Sequence, residues 1–167
     1  MSASSREPGR TEHFFMGRAD GYFVLRTCLW LPQTPASVFP FFADARNLGH
    51  ITPPWLNFEI LSPLPVSMRV GAKIEYRLRL HGLPLRWMTE ITAWDPPHRF
   101  VDAQRRGPYR TWVHTHSFIE SGGGCEMWDD VKYSVFGGSL VHSFFVKRDV
   151  RRIFEYRAQK LTAIFRS

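Results

Sequence analysis

Residues 110–135 read RTWVHTHSFIESGGGCEMWDDVKYSV. On either side of the glycine run, bulky side chains alternate with small or polar ones, the two-residue period of a half-buried strand. Trp112, His114, His116 and Phe118 share one face, and Thr111, Val113, Thr115 and Ser117 the other. Bulk sends the first set inward. On the returning run Met127, Val131, Tyr133 and Val135 face the same way, with Asp129 among them. If the turn is centred on Gly122 and Gly123, Glu120 stands opposite Cys125, Phe118 opposite Met127, His116 opposite Asp129 and His114 opposite Val131. Opposed side chains on one face of an antiparallel pair have Cβ atoms about 5 Å apart. This register therefore sets a histidine against a carboxylate inside an apolar row, whereas a one-residue slip would turn every one of these side chains over. A buried carboxylate is costly unless paired. The pair is either a polar anchor or acid/base dyad facing a ligand, or two groups that satisfy only each other.

The same alternation extends backward along the chain. Strands are expected at Tyr22 to Leu31, Phe58 to Ser62, Ala72 to His81, Leu85 to Trp94 and Arg99 to Arg106, besides Arg110 to Ile119 and Glu126 to Val135. The turns between them hold Gly or Pro, as in Gly82-Leu83-Pro84, Pro96-Pro97 and Gly107-Pro108. No helix-length periodic segment intervenes, so the pattern is a meander of hairpins, about six or seven antiparallel strands in all. In Ala72 to His81, Ile74, Tyr76, Leu78 and Leu80 face inward, while Lys73, Glu75, Arg77 and Arg79 face water. Thr34-Pro35-Ala36-Ser37 opens a short helix, with Thr34 as cap and Pro35 in the first turn. Ala45 to His50 gives a second short helical turn. Ile51-Thr52-Pro53-Pro54-Trp55 is a stiff loop carrying a large aromatic.

The C-terminal segment differs in kind. Val146, Val150, Ile153, Phe154, Leu161, Ile164 and Phe165 recur at spacings of three and four, with Arg148, Arg151, Arg152 and Glu155 on the other side. Lys147 to Arg166 is thus a long amphipathic helix. The expected fold class is α+β: a curved antiparallel sheet wrapped around a long C-terminal helix, two short helices near the N-terminus, and an apolar space inside. Arg157 falls in the apolar stripe of that helix. It either points into the cavity and binds an anionic or carbonyl group of a ligand, or lays its stem on the core and reaches water. Residues 1–19, with only Phe14, Phe15 and Met16 to bury, read as a flexible arm, and residues 20–167 as a single domain.

Composition narrows the function classes. The 167 residues form about one domain, and no apolar run approaches the roughly 20 residues of a membrane span. Two cysteines, Cys28 and Cys125, make no disulfide scaffold, and Met1 to Arg10 contain no apolar stretch of a secretory signal, so a cytoplasmic setting is expected. No Gly-x-Gly-x-x-Gly or phosphate loop is present, and no cofactor is expected. His-x-His with a nearby Asp also suits a divalent metal, but the sequence places no third ligand, and no metal is expected. Aromatics reach 15% and net charge is +7. The basic groups Arg148, Arg151, Arg152, Lys73, Arg77 and Arg79 are not interleaved with exposed aromatics, so nucleic acid is not the expected partner. A solvated face, or peripheral contact with an anionic membrane, accounts for them; nothing here fixes an oligomeric state.

Ile51-Thr52-Pro53-Pro54-Trp55-Leu56, Trp94-Asp95-Pro96-Pro97, Gly107-Pro108-Tyr109, Trp112-x-His114-x-His116-x-Phe118 and Phe154-Glu155-Tyr156-Arg157 together resemble the SRPBCC superfamily. That group includes START lipid-transfer domains, polyketide cyclase/dehydrases, pollen-allergen-like proteins and ubiquinone chaperones. The resemblance spans Tyr22 to Phe165 and implies a helix-grip fold with a deep apolar cavity. It implies two functions. One is binding or transport of a hydrophobic small molecule such as a lipid, isoprenoid, quinone or polyketide. Trp55, Tyr76, Trp87, Gln104, Trp112, Tyr133 and Phe154 would then line the pocket, and His114, His116, Asp129 and Arg157 would orient the polar end. The other is a cyclase or dehydratase in which His116 and Asp129 are catalytic, the carboxylate raising the histidine's pKa. The binding protein is the favoured reading.

Overall fold

The computed structural model describes residues 11–166. Strands β1 (Thr11–Ala19) and β2 (Tyr22–Leu31) form the first hairpin. Helix α1 (Pro35–Phe42), a 3₁₀ turn (Ala45–Asn47), helix α2 (Leu48–Ile51) and a second 3₁₀ turn (Pro54–Leu56) follow. Next come β3 (Glu59–Ile60), β4 (Lys73–Leu80), β5 (Leu83–Asp95), β6 (Arg99–Arg106), β7 (Thr111–Ser121) and β8 (Gly124–Ser134). A short helix α3 (Gly138–Val141) runs through a π-turn (His142–Val146) into the long helix α4 (Lys147–Ile164). The strands make one antiparallel 8-stranded sheet in the order β1-β2-β8-β7-β6-β5-β4-β3.

The central hairpin has the register that the glycine turn implied. Glu120 pairs with Cys125, Phe118 with Met127, His116 with Asp129 and His114 with Val131. Sheet and helix close on each other through apolar clusters. Phe118, Met127, Leu31 and Phe39 pack with Leu161 and Phe165, while Phe23, Leu25 and Val131 pack with Val150 and Phe154. Each such helix side chain contributes about 1.5–3 kcal/mol by leaving water. Thr34 caps α1 as expected, its hydroxyl accepting from the Ser37 N–H at 3.4 Å.

Two expectations need correction. Residues 11–19, read as part of a flexible arm, form strand β1; residues 1–10 of that arm lie outside the described residues. The turn that folds β1 onto β2 is Asp20-Gly21, with φ of 51° and 82°. Both residues sit in the left-handed region that a tight two-residue hairpin requires, which Asp-Gly supplies cheaply. Phe14 and Met16 pack against the Phe23 cluster. The helical segment also begins earlier than expected, at Gly138, and Ile164 is 39% exposed instead of buried. Among the described residues no helix is long and apolar enough to cross a membrane.

Candidate functional site

Between the sheet and α4 lies a cavity of about 200 Å³. Its apolar wall includes Ile74, Tyr76, Leu78 and Trp87 from β4 and β5, Phe100 from β6, Trp112 from β7, and Val150, Ile153 and Phe154 from α4. Phe41, Asn47, Leu48, Thr52 and Met68 line it while partly exposed, and so form its rim. The short helices thus stand at the mouth. Trp87 is 8% exposed, and its indole N–H is buried with no hydrogen-bond partner among the described residues. An unmet buried donor costs about 1–3 kcal/mol.

The floor is polar. On β7 His114 and His116 come between Trp112 and Phe118, and on β8 Asp129 comes between Met127 and Val131. Asp129 Oδ1 lies 2.8 Å from His114 Nε2 and 3.1 Å from His116 Nδ1. From α4, Arg157 turns inward and donates to Asp129 from Nε at 3.1 Å and Nη2 at 3.2 Å. Arg157 is thus buried, 8% exposed, and does not reach water, and its partner is a carboxylate of the protein.

Asp102 completes the cluster, and sequence reasoning missed it. It lies opposite His114 in the β6–β7 register. Its Oδ2 is 2.9 Å from His116 Nε2, and its Oδ1 accepts from the Thr89 hydroxyl at 3.0 Å. The signal was present in the sequence. Phe100, Asp102 and Gln104 alternate with Val101 and Ala103, so a carboxylate follows an inward aromatic by two residues.

The electrostatics follow from this geometry. Burial alone would raise the Asp129 carboxyl. The charge of Arg157 and hydrogen bonds from His114 and His116 outweigh it and hold the group well below the usual carboxylate range. Burial likewise opposes ionisation of Asp102, but the His116 hydrogen bond, the neighbouring imidazoles and Thr89 win, and its pKa is lowered. For His114 the balance runs the other way. Burial and the adjacent His116 ring, centroids 3.7 Å apart, lower its pKa despite Asp129. Desolvation and the His116 charge here exceed the attraction of Asp129 and Asp102 together.

Of the residues expected in the pocket, Tyr76, Trp87, Trp112, His114, His116, Phe154 and Arg157 line the cavity. Asp129 lies behind the histidines, in contact with them but off the wall. Three expected residues stand elsewhere. Trp55 is 47% exposed, edge-on to Tyr156 and beneath Arg152. Gln104 closes the β6–β7 loop, donating to the Tyr109 carbonyl at 2.7 Å and accepting from the Tyr109 N–H at 3.3 Å. Tyr133 is fully buried in the Phe23 cluster, its hydroxyl 2.9 Å from His142 Nε2. In each case the residue type was right for a pocket and another partner took the side chain.

A family model described as polyketide cyclase / dehydrase and lipid transport matches residues 31–162. No curated protein matches the chain. Among solved structures, protein Ms6760 from Mycobacterium smegmatis is similar over 90% of this chain and 95% of its own, at 17% identity and a TM-score of 0.66. Protein CV1439 from Chromobacterium violaceum is similar over 86% and 97%, at 13% identity and 0.68. Ara h 8.0201 is similar over 87% and 98%, at 14% identity and 0.62. At these identities the likeness shows the fold, which is the helix grip.

Proposed function

This chain belongs to the polyketide cyclase/dehydrase and lipid transport family, and on that premise we propose that it binds a hydrophobic small molecule between its sheet and long helix. The observation that carries the reading is the apolar cavity of about 200 Å³ with a polar floor. An engineered cavity of about 150 Å³ takes benzene, so this one accommodates a ring or two, or a short stretch of acyl or isoprenoid chain. A longer tail would leave past the rim at Phe41, Leu48 and Met68. A guest losing about 300 Å² of apolar surface gains roughly 7 kcal/mol before association costs, enough for micromolar binding. Its polar end carries an acceptor, because the Trp87 N–H lacks one. Extraction of the purified protein with organic solvent, followed by mass spectrometry, tests this. A retained apolar compound carrying a carbonyl, hydroxyl or ether oxygen is expected. A protein that neither retains nor takes up any apolar compound ends the reading.

The lining of the cavity by His114, His116 and Asp102 favours a second reading, a cyclase or dehydratase that moves a proton next to a carbonyl of the bound guest. His116→Gln then abolishes turnover while binding persists; unchanged turnover removes His116 from any mechanism.

A carrier of such a guest also needs a donor surface, and we infer an anionic membrane. Of the sheet cations named above, Arg77 is paired with Glu59 and Lys73 with Glu90. A different face supports the reading better. Leu140, Phe144 and Phe145 are 73%, 74% and 61% exposed on α3 and the π-turn, beside exposed Lys147 and Arg148. Apolar side chains flanked by cations suit the headgroup boundary of an anionic bilayer. Sedimentation with phosphatidylcholine vesicles, with and without phosphatidylserine, tests it. Binding that needs the anionic lipid and is lost in Phe144→Asp is expected. Equal sedimentation of both variants excludes this face.

A further inference from the structure

We propose that Asp102, His114 and His116 hold a divalent first-row transition-metal ion, of the zinc or cobalt kind, at the floor of the cavity. Each offers one donor atom, and these atoms lie within 4.8 Å of one another. Asp102 Oδ2 is 2.9 Å from His116 Nε2 and 3.9 Å from His114 Nδ1. Ligands around an ion at roughly 2.1 Å stand about 3 to 3.5 Å apart. Small rotations of the rings therefore close the set.

The groups behind the donors are arranged for this. Asp129 Oδ1 stands 2.8 Å from His114 Nε2 and 3.1 Å from His116 Nδ1, the ring nitrogens that point away from Asp102, and Arg157 Nη2 lies 3.4 Å from the same His116 nitrogen. Asp129 is itself fixed by Arg157, and Asp102 by the Thr89 hydroxyl. A carboxylate behind an imidazole fixes which nitrogen faces the metal and raises its basicity. Charge points the same way. Asp102 and Asp129 stand against one guanidinium, and among the described residues the only ion pairs of Asp102 are with His114 and His116. An ion bound here takes the place of the hydrogen bond between His116 and Asp102. Imidazole donors select zinc, cobalt, nickel, copper or iron over magnesium and calcium.

Asp102, His114 and His116 all line the cavity, so the remaining coordination positions face the guest. A carbonyl or hydroxyl oxygen on the guest could fill one. The proposal does not depend on the guest, because the metal alone is the probe.

Titration of the full chain with Co²⁺, read by visible absorption, and equilibrium dialysis against Zn²⁺ test it. One ion per chain is expected, with Zn²⁺ displacing Co²⁺ and Mg²⁺ failing to. Asp102→Asn and His116→Gln weaken binding at least a hundredfold, and Asp129→Asn about 10- to 100-fold. Circular dichroism of each variant checks folding. Should a variant unfold, the wild-type cobalt spectrum still decides: no new absorption band overturns the proposal. So does zinc affinity that folded Asp102→Asn and His116→Gln leave unchanged.

Discussion

Arg157 holds two sides of the site together, since it is the buried cation that lets Asp129 stay ionised beneath the histidines. Its guanidinium carbon stands over the Phe42 ring at 5.4 Å, so the fork that binds Asp129 also lies against an aromatic face. Removing one partner of such a pair leaves an unpaired buried charge. Arg157→Met is therefore expected to cost about 3–5 kcal/mol in urea unfolding, and Arg157→Met with Asp129→Asn to recover a large part of it. A single variant that loses under about 1 kcal/mol would mean that Asp129 does not rely on Arg157. Trp87→Phe keeps the ring and deletes the orphan donor. It is expected to weaken binding of the extracted guest about tenfold, at about 1.4 kcal/mol per factor of ten; unchanged affinity would mean the guest's acceptor lies elsewhere. At this scale the sequence was half readable. Alternation and a glycine turn sufficed to set His116 against Asp129. Asp102 escaped because its strand was bounded without assigning its faces, and Gln104 and Tyr133 because their hydrogen-bond partners arise only in three dimensions.

Among the elements, strands with one wet and one dry face were the legible ones. The bounds of β2 and β6 coincide with those expected from β-branched and aromatic runs between Gly and Pro. Strand β1 is an edge strand with Phe15 55% exposed, so its pattern is blurred, although Asp20-Gly21 marked the turn. Helix α3 and the π-turn were illegible for another reason: Leu140, Phe144 and Phe145 face water, Gly137-Gly138 reads as a break, and His142 is the buried residue. His142 is clamped between a Phe23 ring at 3.5 Å and the Tyr133 hydroxyl at 2.9 Å. Burial, then the charges of Lys147 and Arg18, push its pKa below the ordinary 6.5. The unfolded chain therefore binds this proton more readily than the folded one. The docking of α3 is complete above about pH 6.5 and is lost as pH falls through the depressed folded value. Amide exchange across residues 138–146 is expected to speed up on acidification through that window, and to lose this dependence in His142→Gln. An exchange rate for this segment that tracks neighbouring α4 at every pH would contradict it.

For the molecule as a whole, hydrophobic burial explains the architecture, and the incompleteness of that burial explains the cavity. A guest that binds only the folded state adds stability by mass action. At a hundred times its dissociation constant it contributes about 2.7 kcal/mol, a rise in melting temperature of roughly 5–10 °C for a chain of this length. Thermal unfolding with and without the extracted compound measures this. A midpoint that does not move means the compound is not held by the native cavity. The fold class was legible because meander and amphipathic helix admit few arrangements; the identity of the guest was not, because an apolar wall records bulk and not structure. The polar floor sits on β6, β7 and β8, inner strands of the sheet, whereas the rim sits on α1, α2, the turns beside them and Met68 of the β3–β4 loop. Chemical selectivity and size selectivity are thus lodged in separate parts of the scaffold. A designer wanting a larger cargo with the same headgroup would recut the short helices and leave the strands untouched.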